Sequence, residues 1–266
     1  MASIEQIRNA SEAKLASKMR GLSRKHRTAI RNAIKQYGGL ANIPNTFWQD
    51  LEKQIQDETA ALLALLYIAA HETTANKLRF QSDEQETRRK AQEYAVMRSK
   101  ALALSHIENT QKRLSGRLEA LRGKIQTVAD EQREAEKQLA TILSDDRADV
   151  AAVTETTTGI STGQIGGAED YEQENPQDLV QYKWRTERDE RVCPICNPLD
   201  GKLSETWTRY FPGGPPAHPR CRCQLILYVK RGAVSTKQGR RLSDIPLEQR
   251  VARLPELTRT INQIRK

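Results

Sequence analysis

The sequence predicts a mainly α-helical protein: a long helical hairpin or coiled-coil region followed by a small α+β module built around cysteine and histidine. Three observations lead there. An apolar repeat averaging 3.5 residues runs through residues 104–142, the seam spacing of helices that wind on one another. No proline falls between residues 75 and 144, where charged groups dominate. All four cysteines lie within residues 193–223, together with His218.

The composition suits this class. Aromatic residues are 5% and charged residues 29% of the 266, thin material for one large core but ample for amphipathic helices with solvated faces. The most apolar stretch, residues 60–70 (AALLALLYIAA), is about half the roughly 20 residues a membrane span needs, so it reads as a buried helical segment. The first residues lack the layout of a secretory signal. A reducing, cytosolic setting is therefore expected, where clustered cysteines serve as metal ligands rather than disulfide partners. The net charge of +9 is unevenly spread: residues 1–36 carry +7 and residues 230–266 another +7, around an acidic middle. Basic ends suit contact with phosphate, because Lys and Arg gain affinity by releasing counterions. The candidate nucleic-acid-binding residues are Arg20, Arg24, Lys25, Arg27, Arg31, Lys237, Arg240 and Arg241.

Residues 1–40 read as a basic helical arm. Ile4, Ile7, Leu15, Met19 and Leu22 form one stripe, and Ile30 and Ile34 continue it until Gly38-Gly39 stops the helix. A long-helix domain is expected over residues 46–144, opened by a capping box of Thr46 and Gln49. Its seam runs Leu104, Ile107, Gln111, Leu114, Leu118, Leu121, Ile125, Val128, Gln132, Ala135, Leu139 and Ile142. Gly116 and Gly123 weaken it by about 1 kcal/mol each. Such a seam needs a partner: the 51–70 helix folded back, or a second copy of the chain associating through residues 104–142. Residues 145–180 (including TETTTGISTGQIGGAEDYEQENPQD) are rich in Thr, Gly, Ser and acids, and read as a flexible linker with room for a short helix at 148–156. Histidines 71 and 106 are assigned no role, and His26 is grouped with the basic arm.

Residues 181–230 form the cysteine module, and 231–266 a basic extension. Cys193-x2-Cys196 is a knuckle that brings two thiolates to one tetrahedral ion. His218-x2-Cys221-x-Cys223 supplies the other half, making this a zinc-knuckle module. Structural Zn2+ takes four ligands and five candidates are present: Cys193, Cys196, His218, Cys221 and Cys223. His218 with Cys221 has knuckle spacing, whereas Cys221 with Cys223 would place two ligands on one strand face, and the spacing alone leaves both open. Leu199-Asp200-Gly201-Lys202 signals a turn, residues 224–229 a strand. Trp184, Trp207, Tyr210 and Phe211 are expected to form the module's minicore. A redox pair at Cys193-Pro194-Ile195-Cys196 is the rival reading; it lacks the βαβ context and leaves Cys221 and Cys223 unexplained.

The same residues resemble a family, the phage head-morphogenesis or minor head proteins related to the F protein of phage Mu. The likeness rests on Trp184-x-Thr186-x2-Asp189-x-Arg191-Val192-Cys193-Pro194-x-Cys196, then Leu199-x-Gly201, then Pro215-Pro216-x-His218-Pro219-x-Cys221-Arg222-Cys223. It covers about 70 residues, extending back to Thr154-Glu155. The resemblance implies a virion component of the head interior, present in the host cytoplasm during assembly. It would sit near the portal, with portal and capsid proteins and non-specifically bound double-stranded DNA as partners. The expected role is binding, not catalysis. The competing class is a metal-dependent nuclease or hydrolase acting on DNA; it would need an open metal position and a general base, and the thiolate-rich site offers no H-E-x-x-H. A DNA-binding regulator is a third class, distinguished by sequence-selective binding.

Overall fold

The computed structural model describes residues 3–187, 193–208, 210–232 and 245–251. Five long helices come first: α1 (Ile4–Tyr37), α2 (Asn45–Leu78), α3 (Glu84–Ala120), α4 (Val128–Ile142) and α5 (Asp145–Glu174). A two-stranded antiparallel sheet follows, β1 (Leu179–Arg185) and β2 (Gln224–Lys230), with the short α6 (Ser204–Trp207) between the strands and α7 (Leu247–Val251) after them. Mainly helical, with a small sheet beside the cysteines, is the expected class. No helix among the described residues is long and apolar enough to cross a membrane.

Local chemistry sets the helix ends. Ser3 and Gln6 form a capping box at the start of α1, and Gly38 closes it in the left-handed region at φ 74°, where glycine carries no Cβ penalty. The box expected at Thr46 and Gln49 is absent: α2 begins at Asn45 behind an extended Pro44, with no side-chain cap. The apolar seam does not continue through one helix either. Leu121 ends α3, Arg122–Lys124 form a single 3-10 turn around Gly123, and Thr127 with Asp130 boxes the start of α4. Ile107, Leu114, Leu118, Ala135, Leu139 and Ile142 all lie in one buried core together with Leu22, Ile30 and Ile34 of α1 and Leu51 and Ile55 of α2. The partner of the seam is thus this chain's own α1 and α2.

Residues 145–174 correct the expectation of a linker. They form one helix, α5, packed between α1 and α2 and buried at every position from 154 to 168. Its composition suits this because the side chains are small and several of the hydroxyls turn back onto the helix's own backbone, although those of Thr156 and Ser161 are buried without a partner among the described residues. Thr154, Thr158 and Thr162 donate to the carbonyls of Val150, Thr154 and Thr158 at 2.7, 2.9 and 2.8 Å, the back-bond open to a helical threonine. Glu155 pairs with Arg98 of α3 at 2.5 and 2.6 Å, both fully buried. Gly159, Gly163 and Gly167 turn one face to α2, where a Cβ on Gly163 would meet the Tyr67 carbonyl oxygen at 2.5 Å and Ala70 Cβ at 2.8 Å.

The basic arm is likewise a bundle member. Leu15, Met19, Leu22, Ile30 and Ile34 are buried, and so is His26, which belongs to the core and not to the cationic face. His26 stands edge-on to His106 of α3, ring centroids 6.4 Å apart. Burial depresses each imidazole to about 4, and neither ring nitrogen of His26 has a hydrogen-bond partner among the described residues.

Two predictions follow from this packing. Gly163→Ala should destabilise the fold by about 1–3 kcal/mol through overpacking against backbone, whereas Gly116→Ala, where a Cβ meets nothing within 4 Å, should be neutral or stabilising by up to about 1 kcal/mol; thermal melts of the two variants check this. For His26 the unfolded chain binds a proton below about pH 6.5 that the folded chain refuses until about 4. Stability should therefore be complete above 6.5 and fall as the pH drops towards 4, by about 2–3 kcal/mol. His26→Leu should flatten that slope in denaturant titrations; an unchanged slope would refute the assignment.

Candidate metal centre

The cluster is built by two tight turns and a strand. In the first, the Cys196 amide donates to the Cys193 carbonyl at 3.1 Å and lies 3.4 Å from the Cys193 sulfur. The second mirrors it: the Cys221 amide donates to the His218 carbonyl at 3.1 Å, with Arg220 in the left-handed region at φ 64° closing the turn. The chain then enters β2, which pairs with β1 in the register Trp184↔Leu225 and Tyr182↔Leu227. Alternation along this strand buries Cys221, Cys223, Leu225 and Leu227 on one side.

The five candidate ligands meet. Cys193 Sγ lies 2.9 Å and Cys196 Sγ 3.2 Å from His218 Nε2, and Cys196 Sγ lies 3.7 Å from Cys221 Sγ. The donor atoms of Cys193, Cys196 and His218 fall within 4.8 Å of one another, as do those of Cys196, Cys221 and Cys223, so Cys196 joins the two groups. His218 Nδ1 is 2.7 Å from the Pro219 carbonyl oxygen; that acceptor fixes the proton on Nδ1 and leaves the Nε2 lone pair facing the sulfurs, as in metal-ligating histidines. Hydrogen bonding with Cys196 and Cys223 holds the Cys221 thiol well below its ordinary value, while hydrogen bonding with Cys221 and Cys223 pushes the Cys196 thiol up, so anionic charge is drawn to Cys221 first. Buried sulfur and imidazole donors at these separations fit a tetrahedral ion of the zinc type.

The surroundings brace the ligands. Trp184 packs on Trp207 and Phe211 at centroid distances of 5.4 and 5.5 Å, and Tyr210 lies 6.5 Å from Phe211, the expected minicore. Helix α5 holds the second turn: Thr157 donates to the Cys221 carbonyl at 2.6 Å, Thr154 accepts from the Arg220 amide at 3.1 Å, and Gln164 donates to the Leu225 carbonyl at 3.2 Å. From α1, Arg8 reaches the carbonyls of Arg222 and Cys223 and pairs with Glu187 at 2.5 Å. These bracing residues escaped sequence reading; Thr154 was singled out there, but only for its resemblance to a family element. Asp189 and Arg191 of the motif lie outside the described residues.

The cationic candidates are less concentrated than the sequence suggests. Arg24 pairs with Asp145 at 2.8 Å, Arg31 with Glu136 at 3.2 Å, Arg20 with Asp149 at 3.4 Å and Lys25 with Glu58 at 4.0 Å. Among the described residues no acid pairs with Arg27. Lys237, Arg240 and Arg241 lie outside the described residues.

Fold and cluster together define a mainly helical protein whose C-terminal cysteine and histidine side chains could hold a metal ion. Residues 105–226 match the family model described as Phage Mu protein F like protein, and over this stretch the chain is phage Mu F-like. The match begins within α3 and ends in β2, so it takes in α4, the buried α5 and all five candidate ligands, reaching well upstream of the motif residues. Comparison with curated proteins and with solved structures finds no match.

Adding Zn2+ to metal-depleted protein should raise the thermal midpoint, and a chelator should lower it again, because an ion bound only by the folded chain adds its binding free energy to stability. An unchanged midpoint under both treatments would speak against a metal role.

Proposed function

We propose that this chain is a phage minor head protein, a structural component of the virion that lies inside the head near the portal and acts in head assembly and in DNA packaging or ejection. The observation that carries the reading is the F-like match over residues 105–226, which includes the whole cysteine and histidine cluster. In this reading the cluster holds one structural Zn2+ and makes the module a rigid adaptor. The donor set supports a structural site: thiolates and one imidazole, with backbone carbonyls of the ligand strand tied to α1 and α5. Portal and capsid proteins are the partners, and the helical bundle offers the docking surface. DNA contact is non-specific, through Arg27 and neighbouring cations of α1 and through the basic residues after 230. Arg20, Arg24 and Arg31 take part only by exchanging their acidic partners for phosphate, an exchange that costs little at an exposed pair.

The chain should co-purify with empty proheads and remain in mature particles. Binding to duplex DNA should weaken steeply with salt and show no sequence preference. A protein found only free in the cell would overturn the head assignment, and DNA cleavage abolished by Cys193→Ser would point to an enzyme instead.

A further inference from the structure

We infer that the ion is held by Cys193, Cys196, His218 and Cys221, and that Cys223 is not a ligand but a thiol of the strand core. This rests on the metal reading above and settles a choice that the spacing leaves open. Two equivalent turns present the four ligands: in each, the amide of the second residue donates to the carbonyl of the first at 3.1 Å, placing both side chains on one side of a three-residue reversal. The turns face each other so that Cys196 touches both members of the opposite pair, His218 at 3.2 Å and Cys221 at 3.7 Å. Two thiolates bound at about 2.3 Å to a tetrahedral ion stand about 3.7 Å apart, the separation seen between Cys196 and Cys221.

Cys223 belongs to neither turn. It directly precedes β2 and, like Cys221 two residues before it, shares the inward side of the alternation with Leu225 and Leu227. Its carbonyl is held by Arg8 at 3.2 Å. Its thiol lies within 4.8 Å of those of Cys196 and Cys221, in a group that does not include His218. Using it in place of Cys221 would discard the second knuckle while keeping the His218 that opens it.

The test uses the full-length chain. Zinc content and affinity, the latter by competition with a chromophoric chelator, are measured for wild type, Cys221→Ser, Cys223→Ser and Cys223→Ala. One zinc per wild-type chain is expected, with affinity falling by less than about tenfold in either Cys223 variant and by at least about a hundredfold in Cys221→Ser. The Co2+-loaded Cys223 variants should keep the wild-type thiolate charge-transfer intensity. A Cys223 variant that loses the ion while Cys221→Ser keeps it would overturn the assignment. If the variants do not fold, limited alkylation of the zinc-loaded wild type decides. Labelling of Cys223 ahead of the other cysteines, with zinc still bound, supports the inference, and earlier labelling of Cys221 overturns it. A wild-type chain that takes up no zinc refutes the metal reading itself, a distinct failure.

Discussion

The close approach of α5 to α2 is the constraint on which the rest depends. Gly163 and Gly167 let the two backbones meet at distances that any side chain would forbid, and Gly159 leaves room for the Leu66 side chain, which seats α5 deep enough to be covered by α1 and α3 as well. A helix so enclosed has little water to satisfy its polar groups. Thr154, Thr158 and Thr162 bond along their own backbone, and Glu155 pairs with Arg98. Thr154, Thr157 and Gln164 also reach outward to the segment that carries Cys221 and Cys223.

The helical bundle and the cysteine module are therefore one structure. Burial of an uncompensated hydroxyl or amide costs roughly 1–3 kcal/mol, so the α5 residues that brace the ligand strand need that strand in place as much as it needs them. The match to the F-like family spans this shared interface and not the cysteines alone, which accords with α5 and the ligand strand forming a unit.

Much of this was legible in the residues. Period and capping signals located α1 and the apolar seam, and the two x2 spacings located the ligand turns. Where reading failed, a rule of composition met a tertiary exception. Thr, Ser and Gly between residues 154 and 167 look like a linker because they bury little apolar area, yet the same smallness allows close packing once neighbours exist. The four-residue glycine spacing was the available signal. The seam broke at Gly123 because a 3.5 repeat survives a short turn in phase, so periodicity alone cannot tell one helix from two. Cationic residues on α1 looked free because their acidic partners, Glu136, Asp145 and Asp149, are more than 100 residues away.

The reach of Arg8 carries a last consequence, for how the chain acquires its shape. The carbonyls it grips lie 214 and 215 residues further along, so a helix synthesised long before them is among the last to be fastened. Contacts of such separation slow folding, because loop closure precedes any gain from them. Until the cysteine strand emerges, Arg8 lacks the carbonyls it grips and the strand-facing side of α5 lacks its cover, and a growing chain in that state depends on rapid completion or on chaperones to avoid association.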